Sequence, residues 1–238
     1  MIIYKGISVT DVAPVDIADI VVSGVKRNVV ARDRMTHAGA EFVRVTDQTR
    51  QVTITLADRT NDEETRLNEI DAINAWAAGD QPDKLVLPYR DGKYLMALCT
   101  SYVEPSYRQW WDSKLKLVFT CYDPYFYAPA ENSVSVSTTG RVFPLTGTAE
   151  PLVRIETVLT QERQSLSWTI NSKTMALSGT IPAGTVTVDL NNQTIRHSNG
   201  TTNLNAMLTL ASRFPEIKRS MAVESSRSGT LYWRARYV

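Results

Sequence analysis

Residues 115–127 read LKLVFTCYDPYFY, an alternating strand that runs directly into a cluster of aromatic residues around an Asp-Pro pair. Four residues spaced two apart share one face, as in a half-buried strand: Leu115, Leu117, Phe119 and Cys121. Pro124 has no amide hydrogen to donate to a neighbouring strand, so strand pairing must stop or move to a sheet edge there. The alternating pattern resumes only near residue 133.

The aromatic cluster, residues 121–127, is interpreted as the end of a domain, with a ligand site as the alternative. The sequence after Asn132 changes to short alternating segments rich in Ser, Thr and Asn. We therefore predict two domains, residues 1–130 and residues 131–238. The turn that closes the first domain is predicted to comprise three residues: Asp123, Pro124 and Tyr125.

The residues before this strand also predict β structure. Residues 51–57, QVTITLA, alternate apolar and threonine side chains with a period of two. Residues 84–105, KLVLPYRDGKYLMALCTSYVEP, place the tight-turn sequence Arg-Asp-Gly-Lys between two apolar runs. This pattern predicts a hairpin, followed by a polar and aromatic loop at 104–113 that leads to the strand at 115–121.

One amphipathic helix is predicted, over residues 61–78. Thr60 and Glu63 have the spacing of a capping box, and acidic residues favour the start of a helix. An apolar stripe then follows, and Gly79 is a natural stop. The stripe is expected to lie buried against the sheet and consists of Leu67, Ile70, Ile73 and Ala77, with Trp76 alongside.

The second half of the chain predicts a β-sandwich or barrel. LSWTI at 166–170 and TVTVDL at 185–190 each place alternate apolar residues on one face. Asn191-Asn192 is expected to form a two-residue turn, because asparagine tolerates a positive φ. Short strands at intervals of roughly 8–12 residues, without a strong helix signal, are typical of such all-β architectures. The whole chain is therefore predicted to be mainly β with one helix.

Composition excludes several classes of protein. The 238 residues carry a net charge of +1, which lacks the basic excess of a dedicated nucleic-acid binder. No apolar run approaches the roughly 20 residues that span a bilayer, and the N-terminus lacks the order of a signal peptide, so we expect synthesis in the cytosol. Cys99 and Cys121 are too few for a disulfide framework and are expected to be reduced, although a bridge between them is geometrically possible.

The search for catalytic chemistry predicts no catalytic residue, no metal site and no cofactor. His37 is interpreted as a loop residue and His197 as a turn residue, because neither has a metal-binding spacing. One acidic cluster comprises Asp58, Asp62, Glu63 and Glu64. Such carboxylates could serve a glycosidase or hold a cation, but helix capping already explains two of them.

The loop at 106–111, SYRQWW, is the one candidate contact surface. Exposed Tyr, Trp and Arg side chains are enriched at interfaces, so the loop could contact a sugar or a protein partner. The alternative is that the tryptophans fold back as a lid over the helix and sheet. The residues concerned are Tyr107, Arg108, Trp110 and Trp111.

In the order of these features the chain resembles the distal tail proteins, the hub components of long-tailed, non-contractile phages. The resemblance rests on the capped helix with Trp76, the segments 84–105 and 115–127, and the later motifs GTAEPLVRIE, TVTVDLNNQTI and SRFPEI. It extends along essentially the whole chain, through layout and short motifs. In that family an aromatic Asp-Pro segment like residues 121–127 closes the N-terminal domain.

The resemblance implies a fold and a role. It implies an N-terminal β-sandwich or split barrel with the helix, which forms a homohexameric ring, and a C-terminal galectin-like β-sandwich. The ring would join the tail tube protein to a tail-tip or baseplate protein at the distal end of the virion tail. DNA would pass through its channel during host infection, and the outer domains could hold a receptor-binding protein.

Further expectations follow for this chain. The protein would come from a phage or prophage and be made in the bacterial host cytoplasm, with no enzyme activity. Some family members carry large carbohydrate-binding insertions, but the C-terminal half here is too short for one. The alternatives are a carbohydrate-binding module or glycan hydrolase, and a tail-tube-type ring protein, which would usually lack the second sandwich.

Overall fold

The computed structural model describes residues 1–33, 40–60, 62–90, 92–104 and 114–238. The chain divides into two compact units, one of residues 1–126 with the C-terminal Val238, and one of residues 127–237. Among the described residues, no helix combines the length and apolar character needed to cross a membrane.

The first unit is built from antiparallel strands, a short helix and one longer helix. Its strands are β1 (Ile3–Tyr4), β2 (Ile7–Ser8), β3 (Val15–Val22), β4 (Arg27–Asp33), β5 (Ala40–Asp47), β6 (Arg50–Asp58), β7 (Asp83–Val86), β8 (Tyr94–Ser101) and β9 (Lys114–Cys121). Its helices are α1 (Val9–Val12) and α2 (Glu63–Ala77). The four-residue helix α1 was not predicted, because one turn is too short to show a helical periodicity.

Strand β8 belongs to two sheets of the first unit. Its first half pairs with β7, which continues the order β8-β7-β1-β2, and its second half pairs with β9, which continues the order β8-β9-β6-β3. Strands β4 and β5 form a separate two-stranded sheet. The predicted hairpin is confirmed: Leu85 pairs with Leu95, and the Lys93 amide donates to the Arg90 carbonyl at 2.8 Å.

The period-two patterns of β6 and β9 place one apolar face inward, as predicted. The inward residues of the two strands are Val52, Ile54, Leu56, Leu115, Leu117, Phe119 and Cys121, each at most 3% exposed. Three aromatic rings from different elements meet in this core, with centroids 5.0–6.2 Å apart in edge-on geometry: Tyr4, Trp76 and Phe119. Such contacts stabilise the core beyond the burial of apolar area alone.

Helix α2 begins two residues later than predicted, and its cap is a different residue. The side chain of Asp62, the residue before the helix, accepts a hydrogen bond from the Thr65 amide at 2.9 Å. This interaction satisfies one of the free amides of the first turn. The predicted cap Thr60 instead donates its hydroxyl hydrogen to Glu69. The helix ends at Ala77, one residue before the predicted end.

The predicted apolar stripe of α2 is correct except at Leu67. Ile70, Ile73 and Trp76 are at most 7% exposed, whereas Leu67 is 44% exposed. At 3.6 residues per turn, Leu67 lies about 120° around the helix from Ile73, outside the buried face. Glu69 takes the remaining place on that face, about 40° from Ile73, which a count of apolar residues could not reveal.

Replacing Ile70 by alanine should lower the free energy of unfolding by about 2–5 kcal/mol, because a buried side chain leaves a cavity. Leu67→Ala is the matched control, and its exposed position should limit the effect to about 0.5 kcal/mol. Urea unfolding followed by circular dichroism measures both. Equal effects of the two substitutions would contradict the observed orientation of the helix.

The second unit is a β-sandwich, as predicted. Its strands are β11 (Asn132–Val136), β12 (Arg141–Pro144), β13 (Ala149–Leu159), β14 (Arg163–Ile170), β15 (Lys173–Ile181), β16 (Gly184–Asp189), β17 (Thr194–His197), β18 (Ser220–Ser225) and β19 (Gly229–Tyr237), after the two-residue β10 (Phe126–Tyr127) at the division between the units. One sheet has the order β17-β16-β13-β19-β11, and the other has the order β12-β18-β14-β15. A 3₁₀ helix spans Leu204–Met207.

The core of this sandwich lies between the two sheets and is centred on Trp168, which is fully buried. The predicted alternation of 166–170 and 185–190 is confirmed by the buried residues Leu166, Ile170, Val186, Val188 and Leu190. The turn after β16 differs from the prediction, because the positive φ of 53° belongs to Gln193 and not to the two asparagines. Asp189 instead accepts hydrogen bonds from Asn192, which stabilises that turn.

Candidate assembly surface

A two-stranded ribbon, formed by β4 and β5, is the most exposed element of the first unit. It pairs Val29 with Val45 and Ala31 with Phe42. Four large apolar side chains on it are 41–64% exposed: Val29, Phe42, Val43 and Val45. Of the ribbon residues whose burial is described, only Val30 and Asp47 are even half-buried.

This exposure makes the ribbon unusual in energetic terms. An isolated two-stranded hairpin is at best marginally stable in water, since it needs a further strand or a packed face. Contiguous apolar side chains on an exposed element also mark sites of protein interaction. The ribbon therefore has the properties of an element that becomes covered by another polypeptide.

The base of the ribbon is attached to the aromatic segment 121–127. Asp47 forms an ion pair with Arg27 across the ribbon, with a distance of 3.3 Å between Asp47 Oδ1 and Arg27 Nε. Its other carboxylate oxygen accepts a hydrogen bond from the Tyr125 hydroxyl. The Gln48 amide donates to the Lys26 carbonyl at 2.8 Å. These contacts orient the ribbon where it leaves the unit.

Strand β3 provides a second surface suited to association. It pairs with β6, and no other strand of the described residues pairs with it, so it is an edge of its sheet. An edge strand presents unpaired amide and carbonyl groups that can pair with another chain. Two features limit non-specific strand pairing along part of this edge. One is the register shift between Ile17 and Asp19, and the other is the exposed Asp16 with its ion pair to Arg59.

The predicted closing turn lies next to buried aromatic packing. Asp123 Oδ1 accepts a hydrogen bond from the Tyr125 amide at 3.3 Å, and Pro124 is buried. Phe126 is fully buried, with the guanidinium carbons of Arg50 and Arg90 at 5.1 and 4.5 Å from its ring centroid. That Asp123, Pro124 and Tyr125 close a domain remains a prediction.

The remaining residues singled out in the sequence are the SYRQWW loop residues and the two histidines. Tyr107, Arg108, Trp110, Trp111 and His37 lie outside the described residues. His197 was interpreted as a turn residue but is the last residue of β17 and 6% exposed. Its Nδ1 accepts from the Asn199 amide and its Nε2 lies 3.2 Å from the Pro182 carbonyl, so it holds two loops together.

The four acidic residues near α2 are separated in their roles. Asp62 is the helix cap. Asp58 is buried and forms an ion pair with Arg66, with 3.4 Å between Asp58 Oδ2 and Arg66 Nε. Burial, followed by a hydrogen bond with Asp58, raises the pKa of the neighbouring Glu69. In the described part of the chain, no three His, Cys, Asp or Glu side chains come together as a metal site would require. The buried carboxyl of Glu69, which contacts Asp58 and Thr60, is a structural feature that sequence reasoning missed.

Both cysteines are free thiols and buried. Burial raises the pKa of Cys121 to about 12 and also raises the pKa of Cys99. Because the thiolate is the reactive form, both thiols are protonated and unreactive near neutral pH.

The second unit contains a polar cleft of about 270 Å³. Among its charged side chains, Arg154 donates to Glu131 at 2.5 Å, and it also donates to Glu156, which does not line the cleft, at 3.0 Å. The lining residues include no aromatic side chain on which a sugar ring could stack: they are Glu131, Leu152, Val153, Arg154, Asp189, Asn191, Asn192 and Arg234. The cleft therefore gives no particular support to carbohydrate binding.

Comparison with solved structures relates these two units to a phage protein. The crystal structure of SPP1 Dit (gp 19.1) superimposes with a TM-score of 0.82, covering 100% of this chain and 98% of that one. The chain has the Dit fold. Because sequence identity is only 15%, the similarity concerns the fold, and it confirms the predicted mainly-β architecture.

Other comparisons add less to the Dit-fold assignment. Two structures of the phage p2 baseplate in its activated conformation, with Sr and with Ca, match with TM-scores of 0.45 and 0.44 at 8% identity, each covering 92% of this chain and 90% of that one. No protein-family profile matches the sequence. No curated protein matches it either.

Within this Dit fold, the ribbon is a candidate contact element that sequence reasoning missed. Its β5 sequence, AEFVRVTD, contains a recognisable alternation at Val43 and Val45. That pattern ordinarily indicates a half-buried strand. Only the tertiary arrangement reveals that neither strand packs on the body of its own unit.

Proposed function

We propose that this protein is a structural component of a long-tailed, non-contractile phage or prophage tail, forming a homohexameric ring hub at the distal end of the tail tube. The observation that carries the proposal is the Dit fold, which extends over both units. SPP1 Dit is described as a paradigm of the hub adsorption apparatus in Gram-positive infecting phages. The full-length similarity also favours a hub over a tail-tube-type protein, which would usually lack the second sandwich.

The exposed ribbon and the β3 edge support a ring built through the first unit. In a ring each subunit uses one surface to contact a different surface of the next, so every subunit needs a donor and an acceptor. The ribbon supplies an apolar donor element, and the β3 edge is one acceptor that could receive a strand. In this proposal the second unit points outward and contacts a tail-tip or receptor-binding protein.

The proposed channel would pass DNA without retaining it. Each phosphate contact by a lysine or arginine adds to affinity for nucleic acid. The net charge of +1 allows the channel surface to stay neutral or acidic if basic residues lie elsewhere. The proposal includes no enzymatic role, and hydrolysis of host cell-wall glycan by the purified protein would contradict that part of it.

Light scattering coupled to size exclusion should show a species of six 26.6 kDa chains, about 160 kDa, at high protein concentration. Phe42→Asp should shift this species to the monomer, because a charge would replace the most exposed apolar side chain of the ribbon. Val142→Asp is the matched control, since Val142 is 61% exposed on the second unit. It should leave assembly unchanged.

Two results would contradict the proposal. One is a wild-type protein that stays monomeric up to millimolar concentration. The other is a Phe42→Asp protein that assembles as well as wild type, which would remove the ribbon from the ring interface. Circular dichroism of each variant checks that the fold is intact.

A further inference from the structure

Two arginine side chains of the first unit approach one buried aromatic ring. Arg50 is the first residue of β6 and is 3% exposed, and Arg90 lies in the turn between β7 and β8. Their guanidinium carbons lie 5.1 and 4.5 Å from the centroid of the Phe126 ring. The ring face offers each cation a weak electrostatic attraction.

In each guanidinium, one buried nitrogen has no hydrogen-bond partner among the described residues. The Nε atoms of Arg50 and Arg90 are both buried without a hydrogen-bond acceptor. Within the part of the chain that the structure describes, neither side chain forms an ion pair. A buried charge is costly unless it is paired, and two neighbouring cations add mutual repulsion.

Four titratable groups of the described residues act on Arg50. They are Cys121, Arg90, Tyr89 and Tyr125. Burial raises the pKa of the Cys121 thiol to about 12, so this group is neutral at pH 7. Burial also raises the pKa of Tyr89, which therefore stays protonated as well. Burial is the main cause that lowers the pKa of Arg50, and the positive charge of Arg90 lowers it further.

We propose that Arg50 and Arg90 form a binding site for an oxyanion, a carboxylate or phosphate-type group that bridges the two guanidiniums beside Phe126. Guanidinium groups bind such planar or tetrahedral oxyanions through paired, charge-assisted hydrogen bonds. The site is open from one side, because Tyr89 is 52% exposed and Arg90 is half-buried. A bound oxyanion would link the start of β6, the β7–β8 turn and the aromatic segment 121–127.

Thermal unfolding of the full chain tests the site, with sodium phosphate or sodium acetate compared against sodium chloride at equal ionic strength. The protein is kept dilute, so that it is monomeric. We expect Tm to rise with anion concentration above its value in sodium chloride, by about 3–6 °C at ten times the dissociation constant. General salt effects on hydrophobic burial change Tm of every variant by a similar amount, so they do not produce a difference in Tm between variants.

Two variants make the readout specific. Arg90→Gln should abolish this rise in Tm, whereas Arg59→Gln, which removes an exposed arginine of the same unit, should retain it. If Arg90→Gln does not fold, Arg90→Lys replaces it and should weaken the rise, because lysine cannot bind an oxyanion through a two-pronged contact. The site would be overturned if Tm of the wild type is the same in phosphate or acetate as in sodium chloride, or if Tm rises equally in the wild type and the Arg90 variant.

The same titration at high protein concentration distinguishes two sources of the oxyanion. If the group is a carboxylate side chain from a second copy of the chain, phosphate should no longer raise Tm in the assembled protein, and Arg90→Gln should weaken assembly. If the group is a free anion, the phosphate effect should persist in the assembled protein. Either result supports the site once the dilute wild-type protein has shown the rise in Tm that Arg90→Gln abolishes.

Discussion

A chain that ends at residue 120 should aggregate, whereas a chain that ends at residue 130 should fold. The first cut removes two fully buried residues of the first unit, Cys121 and Phe126. It also removes the Tyr125 hydroxyl that donates to Asp47 at the base of the ribbon. Truncating one buried aromatic side chain alone costs about 3–5 kcal/mol, a large share of the 5–15 kcal/mol that stabilises a typical domain.

Loss of Phe126 would also remove an aromatic contact of two arginine side chains, Arg50 and Arg90. Its ring is the contact that the structure shows for the guanidiniums of Arg50 and Arg90. Without it, both cations would border a cavity in the core. We therefore expect residues 121–126 to be needed for the first unit to fold. The predicted domain boundary at residue 130 stays a prediction, which the two shortened chains test.

Size exclusion and limited proteolysis of the two shortened chains measure the difference. The chain ending at 130 should elute as a folded species and, at high concentration, form the proposed ring. The shorter chain should elute in the void volume and be digested rapidly. If both chains fold and assemble equally well, residues 121–127 do not close a domain, and their aromatic side chains become candidates for contact with a tail partner.

Replacing Trp168 by alanine should lower the free energy of unfolding of the second unit by about 3–5 kcal/mol. Trp168 is fully buried on β14, which lies between β15 and β18 in its sheet. Its indole Nε1 donates a hydrogen bond to Thr157 Oγ1 at 3.1 Å. The substitution therefore opens a cavity and leaves the hydroxyl of Thr157, a fully buried residue, without this donor.

Two further variants separate these contributions. Trp168→Phe retains an aromatic ring, so it removes the hydrogen bond but leaves a smaller cavity than Trp168→Ala. It should therefore lower the free energy of unfolding by less. Val158→Ala, at a 65% exposed neighbour of Thr157, should change the free energy of unfolding by no more than about 0.5 kcal/mol. Urea unfolding followed by near-ultraviolet circular dichroism measures all three. A loss below about 1 kcal/mol for Trp168→Ala would contradict its place at the centre of the core.

Local sequence patterns were sufficient to predict the strands in which buried and exposed residues alternate along the chain. The alternation in residues 51–57, 115–121 and 166–170 predicted buried faces that the structure confirms. This success has a simple cause, because successive side chains of a strand point to opposite sides. The order of such elements also sufficed to suggest the fold that SPP1 Dit shares.

Side-chain competition and long-range packing decided what the sequence left open. Thr60 and Asp62 are both acceptable helix caps, and Asp62 occupies the position because the Thr60 hydroxyl donates to Glu69. Leu67 and Glu69 exchanged their expected environments, since the buried face of α2 is set by the sheet on which it packs.

The candidate sites likewise depend on residues far apart in the chain. Arg50, Arg90 and Phe126 meet only after three separate segments have folded together. The ribbon has an ordinary strand pattern, and only the packing of the unit leaves four of its apolar side chains exposed: Val29, Phe42, Val43 and Val45. Residue periodicity therefore determined the strands and the main helix, whereas tertiary contacts determined which charged and apolar groups lack a partner among the residues that the structure describes.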